Sequence, residues 1–278
     1  NALRDAIATS IKAAEVSAIV LKLIGQPVED DADFEGLTDL IEASPKPVIV
    51  LWSGKAQGLI FEIGLAAHWR MVIAGAELSF ANIKLGVTPC AGATQRLPRL
   101  IGMSAALDLI CSGRSVDAQE AISIGLAERQ IEAGSDIDRE VIETARALTQ
   151  QALRRTSTLS VDLEDTDKAK TEAENLIKRA RSSDAIVAAT RLCLLSAQSS
   201  FADGMREERN TFLNLKNGNQ SAALRYVAYA EKEVSNRPDI PVSKARPVQK
   251  VGVIGAGTMG AGIAVACLDS GYDVTIIE

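Results

Sequence analysis

The sequence predicts an α/β first section, an all-helical middle and a closing strand–helix–strand unit, and three observations carry that division. Between Ala18 and Glu128, short β-branched runs alternate with helix-patterned segments, the pattern of a sheet covered by helices. From Ser135 to Val234 the strand signals stop and helical patterns follow one another. After the prolines Pro238, Pro241 and Pro247, two apolar runs flank an alanine-rich stretch that opens on closely spaced glycines. These breaks divide the chain into residues 1–134, 135–245 and 246–278.

At the start, Leu3, Ile7 and Ile11 fall on one face of a helix. Residues 18–23 read as a buried strand and 34–43 as a helix. Pro45 and Pro47 punctuate the chain before 48–52, a second β-branched strand. Ser53-Gly54 turns it into 58–67, a helix apolar on most sides and therefore expected inside, and 71–74 is a third strand. In the middle section, 138–153 is amphipathic and 165–181 heavily charged, while 184–198, 201–215 and 221–234 complete the helical block. The charges of 168–181 read as a solvated helix face. No Met precedes the first helix, and the last strand runs up to Glu278 with no turn behind it, so both ends are expected to be cuts in a longer chain.

Composition excludes several function classes. With 30 Lys+Arg against 36 Asp+Glu, a net charge of -6 and only 4% aromatic residues, the chain lacks the basic field and stacking platforms of a nucleic-acid binder. No run of about 18 apolar residues exists, so no membrane span is expected. Cys90, Cys111, Cys193 and Cys267 show no metal or redox spacing and read as reduced thiols, which points to a cytoplasmic location. The single histidine, His68, leaves no material for a His-rich metal site and reads as a packing or capping residue.

The glycines near the C-terminus follow Gly255-x-Gly257-x-x-Gly260, between the strand around Val253 and a helix, with a second strand ending on Glu278. That context predicts the first βαβ part of a Rossmann domain and NAD as cofactor. Gly255 makes the tight turn, Gly257 admits a pyrophosphate to the backbone, and Gly260 permits close helix–strand packing. Thr258 and Met259 open the helix whose free N–H groups would face the phosphates, and Glu278 would accept the ribose hydroxyls.

In the first section, Lys46-Pro47-Val48-Ile49-Val50, then Gly58-Leu59-Ile60-Phe61-Glu62, then Ala74-Gly75-Ala76-Glu77 resemble the enoyl-CoA hydratase/isomerase (crotonase) family. Pro89-Cys90-Ala91-Gly92-Ala93-Thr94-Gln95-Arg96-Leu97-Pro98-Arg99 follows the family's P-G-x-G-G-T-Q-R-L-P-R pattern, departing at Cys90 and Ala93. Ser112-Gly113-Arg114 and Gly125-Leu126-Ala127 continue the match, with a deletion near Asp30. Glu208-Arg209-Asn210 before Phe212, and the segment 221–233, precede the glycine motif as in the bacterial multifunctional β-oxidation proteins, which join a hydratase to a 3-hydroxyacyl-CoA dehydrogenase. The resemblance implies a crotonase-like ββα spiral domain, a helical linker region and a dehydrogenase domain begun at residue 246. It implies hydration of 2-enoyl-CoA, an acyl-CoA thioester substrate carrying coenzyme A, and NAD-dependent oxidation of the product. A homo-oligomer or a thiolase subunit stays open as partner.

The same resemblance assigns roles. The Leu59 N–H is one of two backbone donors to the thioester oxygen, and Glu62 is one of two family carboxylates that move protons. The alternative for Glu62 is a structural partner for Arg70. Asn82 stands where the family has its second glutamate and carries no titratable proton, which counts against efficient hydration. Leu59 and Ile60 replace glycines, so backbone at positive φ there would be strained. The second oxyanion donor matches Asp30-Asp31-Ala32-Asp33, an acidic loop. Arg96 and Arg99 are open between CoA phosphate contacts and structural pairing, and Cys90 is read as filler. Two rival functions follow from the departures: a catalytically degenerate acyl-CoA-binding domain, or an enoyl-CoA isomerase working with one carboxylate.

Overall fold

A run of alternating apolar signals becomes two small sheets wrapped by helices. The computed structural model describes residues 2–25, 36–180, 183–235 and 247–278. They form two compact units, Asn1–Ala228 and Tyr229–Glu278. Helix α1 (Ala2–Lys12) buries Ile7, with Leu3 and Ile11 packed against the same core, as their shared face requires. Then come β1 (Ile19–Ile24), α2 (Leu37–Ala43), β2 (Val48–Ser53), β3 (Lys55–Gln57), α3 (Leu59–Leu65), β4 (Trp69–Ile73) and β5 (Glu77–Ser79). A 3-10 turn (Ala81–Leu85) leads to α4 (Ala93–Ile101), α5 (Met103–Ser112), β6 (Ser115–Asp117), α6 (Ala118–Ser123) and β7 (Arg129–Ile131).

Strands β1, β2, β4 and β7 form a parallel sheet in that order, with Val48 opposite Ile19 and Arg70 opposite Val50. Its central strand β2 is buried along Val48–Trp52, which is why that run has no polar alternation. The second sheet has the order β3-β5-β6, parallel then antiparallel. Because β2 and β3 are separated only by Gly54, the chain passes from one sheet to the other just before α3.

A buried cation ties the first sheet together. Arg70 on β4 is 1% exposed; its side chain donates to the carbonyls of Leu126 at 2.9 Å and Ala67 at 3.1 Å and pairs with Glu128 beside β7. The Arg70 N–H also donates to Glu128 at 2.7 Å. Removing one partner strands a charge in an apolar interior. Glu128→Ala should cost roughly 3–5 kcal/mol of stability, measured by denaturant unfolding; a loss under about 1 kcal/mol would mean that the pair is solvated.

The middle section is α7 (Ile137–Leu148), a short 3-10 turn (Thr156–Thr158), α8 (Leu163–Arg179), α9 (Asp184–Leu195), α10 (Phe201–Lys216) and α11 (Asn219–Ser235). Up to Ala228 it belongs to the same unit as the sheets, so the boundary expected at residue 134 is not a break in packing. The reason is apolar cover: Met103, Ala106, Leu107 and Ile110 of α5 are buried in one cluster with Ala169 and Ala173 of α8 and Ala185, Ala189 and Cys193 of α9. The opposite face of α8 carries solvated pairs such as Lys168–Glu164, as its charge pattern predicts. Among the described residues no helix is long and apolar enough to cross a membrane.

The second unit contains β8 (Lys250–Ile254), α12 (Thr258–Asp269) and β9 (Asp273–Ile277), with β8 and β9 parallel and Ile254 opposite Ile277.

Candidate active site

The site begins where β3 ends. Gly58 is anchored by its N–H to the Ser79 carbonyl at 2.9 Å, takes φ 55°, and hands the chain directly into α3. Leu59 and Ile60 already lie within that helix, so the strain expected for side chains at those two positions is absent; the left-handed φ falls on Gly58 instead. As the first residue of α3, Leu59 carries one of the N–H groups that a helix leaves without an intrahelical partner. Asn82, on the 3-10 turn after β5, comes against the same corner: a Cβ on Gly58 would stand 2.7 Å from Asn82 Nδ2. Leu59 and Asn82 are therefore brought to the start of α3, with Glu62 one turn further along the helix, while the acidic stretch Asp30-Asp31-Ala32-Asp33 lies outside the described residues.

Glu62 is 2% exposed and has no cation as partner among its hydrogen bonds. Arg70, the alternative partner, is engaged with Glu128. The Glu62 carboxylate instead accepts from the Ala91 N–H at 2.7 Å and the Cys90 N–H at 3.0 Å. Burial, and then the nearby charge of Glu208, raise its pKa from the ordinary 4.5 to about 8, against the lowering effect of these amides.

Glu208 is the residue that sequence reasoning left without a role. It projects from α10, is 1% exposed, and accepts from the Gly92 N–H at 2.5 Å, the Thr94 N–H at 2.8 Å and the Thr94 hydroxyl at 2.5 Å. One signal could have found it. Gly204, Glu208 and Phe212 are the buried residues of α10, spaced four apart, so the acid sits on the packed face of an amphipathic helix. Burial also raises its pKa, opposed by Thr94, Gly92 and the charge of Arg96.

The loop between Pro89 and α4 thus serves two carboxylates in succession. The amides of Cys90 and Ala91 turn to Glu62, those of Gly92 and Thr94 to Glu208. Gly92 makes the change of direction at φ 97°, and a Cβ there would meet Arg96 Nη1 at 2.0 Å. The Thr94-Gln95-Arg96 stretch holds this loop from below. The Gln95 side chain donates to Thr94 Oγ1 at 3.1 Å and to the Leu192 carbonyl at 3.0 Å. Arg96, 0% exposed, donates to the Ala91 carbonyl at 2.9 Å and pairs with Glu42 of α2 at 2.9 Å. Arg99 is spent on the carbonyls of Gln95 and Ser196. Both arginines therefore have structural partners, which accounts for them without a phosphate. His68 is likewise structural: its Nδ1 accepts from the Val48 N–H at 3.0 Å while Nε2 lies 3.2 Å from the Glu42 carbonyl, and burial lowers its pKa.

In the second unit Gly255 adopts φ 95° and its N–H donates to the Ile277 carbonyl at 2.7 Å, which brings the end of β9, and so Glu278, beside the glycine turn. Gly257 caps α12 without a side-chain hydrogen bond, and a Cβ there would meet no atom within 4 Å, so the backbone is open to a ligand. At Gly260 a Cβ would lie 1.8 Å from the Gly255 carbonyl oxygen. Thr258 opens α12, and Met259 is 80% exposed at the same end. The residues present fit a dinucleotide: helix N–H groups for a pyrophosphate and an acid for ribose hydroxyls. Gly260→Ala should force Gly255 and α12 apart, read as faster amide hydrogen exchange across Gly255–Ala261; unchanged exchange would show that the turn can yield.

Residues 25–191 match the family model described as enoyl-CoA hydratase/isomerase, and residues 250–278 match the one described as 3-hydroxyacyl-CoA dehydrogenase, NAD binding domain. Among curated relatives, the "Peroxisomal bifunctional enzyme" of Cavia porcellus is 33% identical over 251 residues, 87% of this chain and 34% of that protein. The human protein of the same name is 35% identical over 83% of this chain and 33% of its own length. The "Glyoxysomal fatty acid beta-oxidation multifunctional protein MFP-a" of Cucumis sativus is 30% identical over 91% of this chain and 36% of its own. The chain thus spans about a third of the length of the curated relatives it matches. Among solved structures, an enoyl-CoA hydratase from Mycobacterium avium subsp. paratuberculosis K-10 superposes with a TM-score of 0.58 at 19% identity, covering 82% of this chain and 84% of that one. One from Bacillus halodurans gives 0.56 at 20% identity, covering 81% and 87%. At these identities the structures establish the fold.

Proposed function

The chain belongs to the enoyl-CoA hydratase/isomerase family, and on that premise we propose that it takes an enoyl-CoA thioester at the N-terminal end of α3 and moves protons on it with Glu62. The observation that carries this reading is the Glu62 carboxyl itself, buried on α3 three residues past Leu59, held by backbone amides and paired with no cation among the described residues. A carboxyl whose proton leaves near pH 8 is present both as acid and as base under physiological conditions.

In hydration of a 2-enoyl thioester, the Leu59 N–H and the α3 dipole stabilise negative charge on the thioester oxygen. Protonated Glu62 delivers its proton to C2 from one oxygen while water adds at C3, and its other oxygen receives the water proton. Carboxyl and substrate then balance with one water consumed. Asn82 orients the water by hydrogen bonding and removes no proton from it.

A second reading is favoured by Asn82 specifically. Isomerisation of a 3-enoyl thioester needs one carboxylate: ionised Glu62 takes the C2 proton and returns it at C4, moving the double bond between C2 and C3.

The proposal extends to the closing unit, which we assign to NAD binding in an enzyme that also oxidises 3-hydroxyacyl-CoA, a reading supported by the family model that residues 250–278 match. Bound NAD would supply a hydride acceptor. Gly255, Gly257, Thr258, Met259, Gly260 and Glu278 would hold it. We further assign residues 1–134 to the hydratase-like part and 246–278 to the dehydrogenase part, with residues 135–245 between them. The four thiols fit a reducing compartment; a thiolase subunit or a second copy is the partner to seek.

The test is turnover of crotonyl-CoA, followed at the enoyl-thioester absorbance, alongside a 3-enoyl-CoA. Turnover of either supports the proton-transfer reading and ranks its two forms. A folded chain that binds CoA thioesters and turns over neither would be a degenerate binding domain.

A further inference from the structure

Two buried acids of the first unit, Glu62 and Glu208, are 28 to 29 and 114 to 116 residues from the loop amides they hold, yet both depend on the same five residues, Cys90 to Thr94. We propose that Glu208 is a positioning residue for Glu62, acting through the loop that both carboxylates hold and through like-charge repulsion between them. This rests on the role given above to Glu62 and adds to it a residue from the helical section.

Each half of the proposal has a geometric basis. If Glu208 releases the Gly92 and Thr94 amides, the turn at Gly92 loses the anchor that these two bonds give it, and the Cys90 and Ala91 amides lose their aim at Glu62. The donors are also unequal. Glu208 receives two amides and the Thr94 hydroxyl, whereas Glu62 is held by backbone amides of the loop and by no hydroxyl. Both oxygens of Glu208 are thus held in the anionic form, and the proton that one of two neighbouring buried carboxyls must keep falls to Glu62.

The surrounding charges act in the same sense. Arg96 of α4 lies close enough to lower the pKa of Glu208, and its own charge is shared with Glu42 of α2. Cys193 of α9 faces Glu208 and has its thiol pKa raised by burial, so it stays neutral. On α3 the facing group is Glu62 itself. Arg96 is fixed by Ala91 and Glu42 and neutralises Glu208 more than Glu62, which sharpens the difference between the two acids.

The test reads the Glu62 proton directly, without substrate. Infrared titration of the wild-type chain should show a protonated-carboxyl band persisting through neutral pH and missing in Glu62→Gln. In Glu208→Gln the midpoint of that band should fall by about one pH unit or more. Thr94→Val, which removes one donor from Glu208 and leaves its carboxyl, should shift it in the same direction by less, because Glu208 then competes better for the proton. The pH limb of kcat/KM on an enoyl-CoA should follow these midpoints, with kcat changing more than KM. A wild-type band that titrates in the ordinary carboxylate range would overturn the proposal, as would an unmoved midpoint in both folded variants. Absence of turnover together with the coupled titration would overturn the enzymatic reading alone and leave the pair standing.

Discussion

Glu62→Gln is expected to lower enoyl-CoA turnover by roughly 10²–10⁴-fold, and at the same time to make the folded chain more stable in alkaline solution. Both effects come from one carboxyl. Glutamine keeps an oxygen that can accept from the Ala91 and Cys90 amides, so the loop retains its anchor. It has no proton to exchange, so transfer to and from the substrate carbon stops. The stability effect follows from linkage. In the native chain Glu62 binds its proton up to about pH 8, while in the unfolded chain it releases it near 4.5. Between those values the folded state holds more protons than the unfolded state. Its contribution to stability is therefore fully present below about 4.5 and is lost as pH rises through about 8. The slope reaches at most about 1.4 kcal/mol per pH unit for one group. In Glu62→Gln that slope disappears. Chemical unfolding of both chains at several pH values, beside the turnover assay, checks it. Equal pH slopes would mean that Glu62 is ionised in the folded state, and unreduced turnover would take the proton chemistry elsewhere.

Asn82→Glu should raise hydration of crotonyl-CoA by about 10²-fold. The position is half-buried against Gly58 at the start of α3, the corner at which we propose that the thioester oxygen binds. A carboxylate there can take the water proton, so that Glu62 serves only as acid and the two steps no longer fall on a single group. Isomerisation, which uses one carboxylate, should gain far less, and the ratio of the two rates is the more telling readout. A folded Asn82→Glu chain with no gain in either would locate the defect at the proposed oxyanion donors, of which the Leu59 N–H is one.

These two outcomes separate chemistry from binding. A loss in Glu62→Gln with a gain in Asn82→Glu describes a hydratase working below the capacity of its fold. Loss of 3-enoyl-CoA turnover in the first, with no hydration in either the parent chain or the second, describes an isomerase.

Most strands and helices were legible in the sequence because their causes are local. The β2 run from Val48 to Trp52 is apolar at every position since both its faces are covered, and the α12 turn needs glycine at Gly260 because a carbonyl lies where a side chain would go. The family motifs placed Leu59, Glu62 and Asn82 on neighbouring elements for the same reason: each motif is a short stretch whose backbone geometry is set by its own residues. Tertiary structure alone decided the rest. Arg96 and Arg99 stay open between phosphate contacts and structural pairing in a one-dimensional reading, and only the approach of α2 and α9 gives them their structural partners. The section from 135 onward looks like a connector, and only its cover of α4 and α5 makes it part of the first unit. Glu208 is the sharpest case. In a run of charged residues it resembles a solvated acid, and it becomes a partner of the loop before α4 because α10 packs its Gly204–Glu208–Phe212 face inward. A sequence carries periodicity and backbone preference along the chain, but not which distant surfaces meet, and the proton affinity of a carboxyl depends on what it meets.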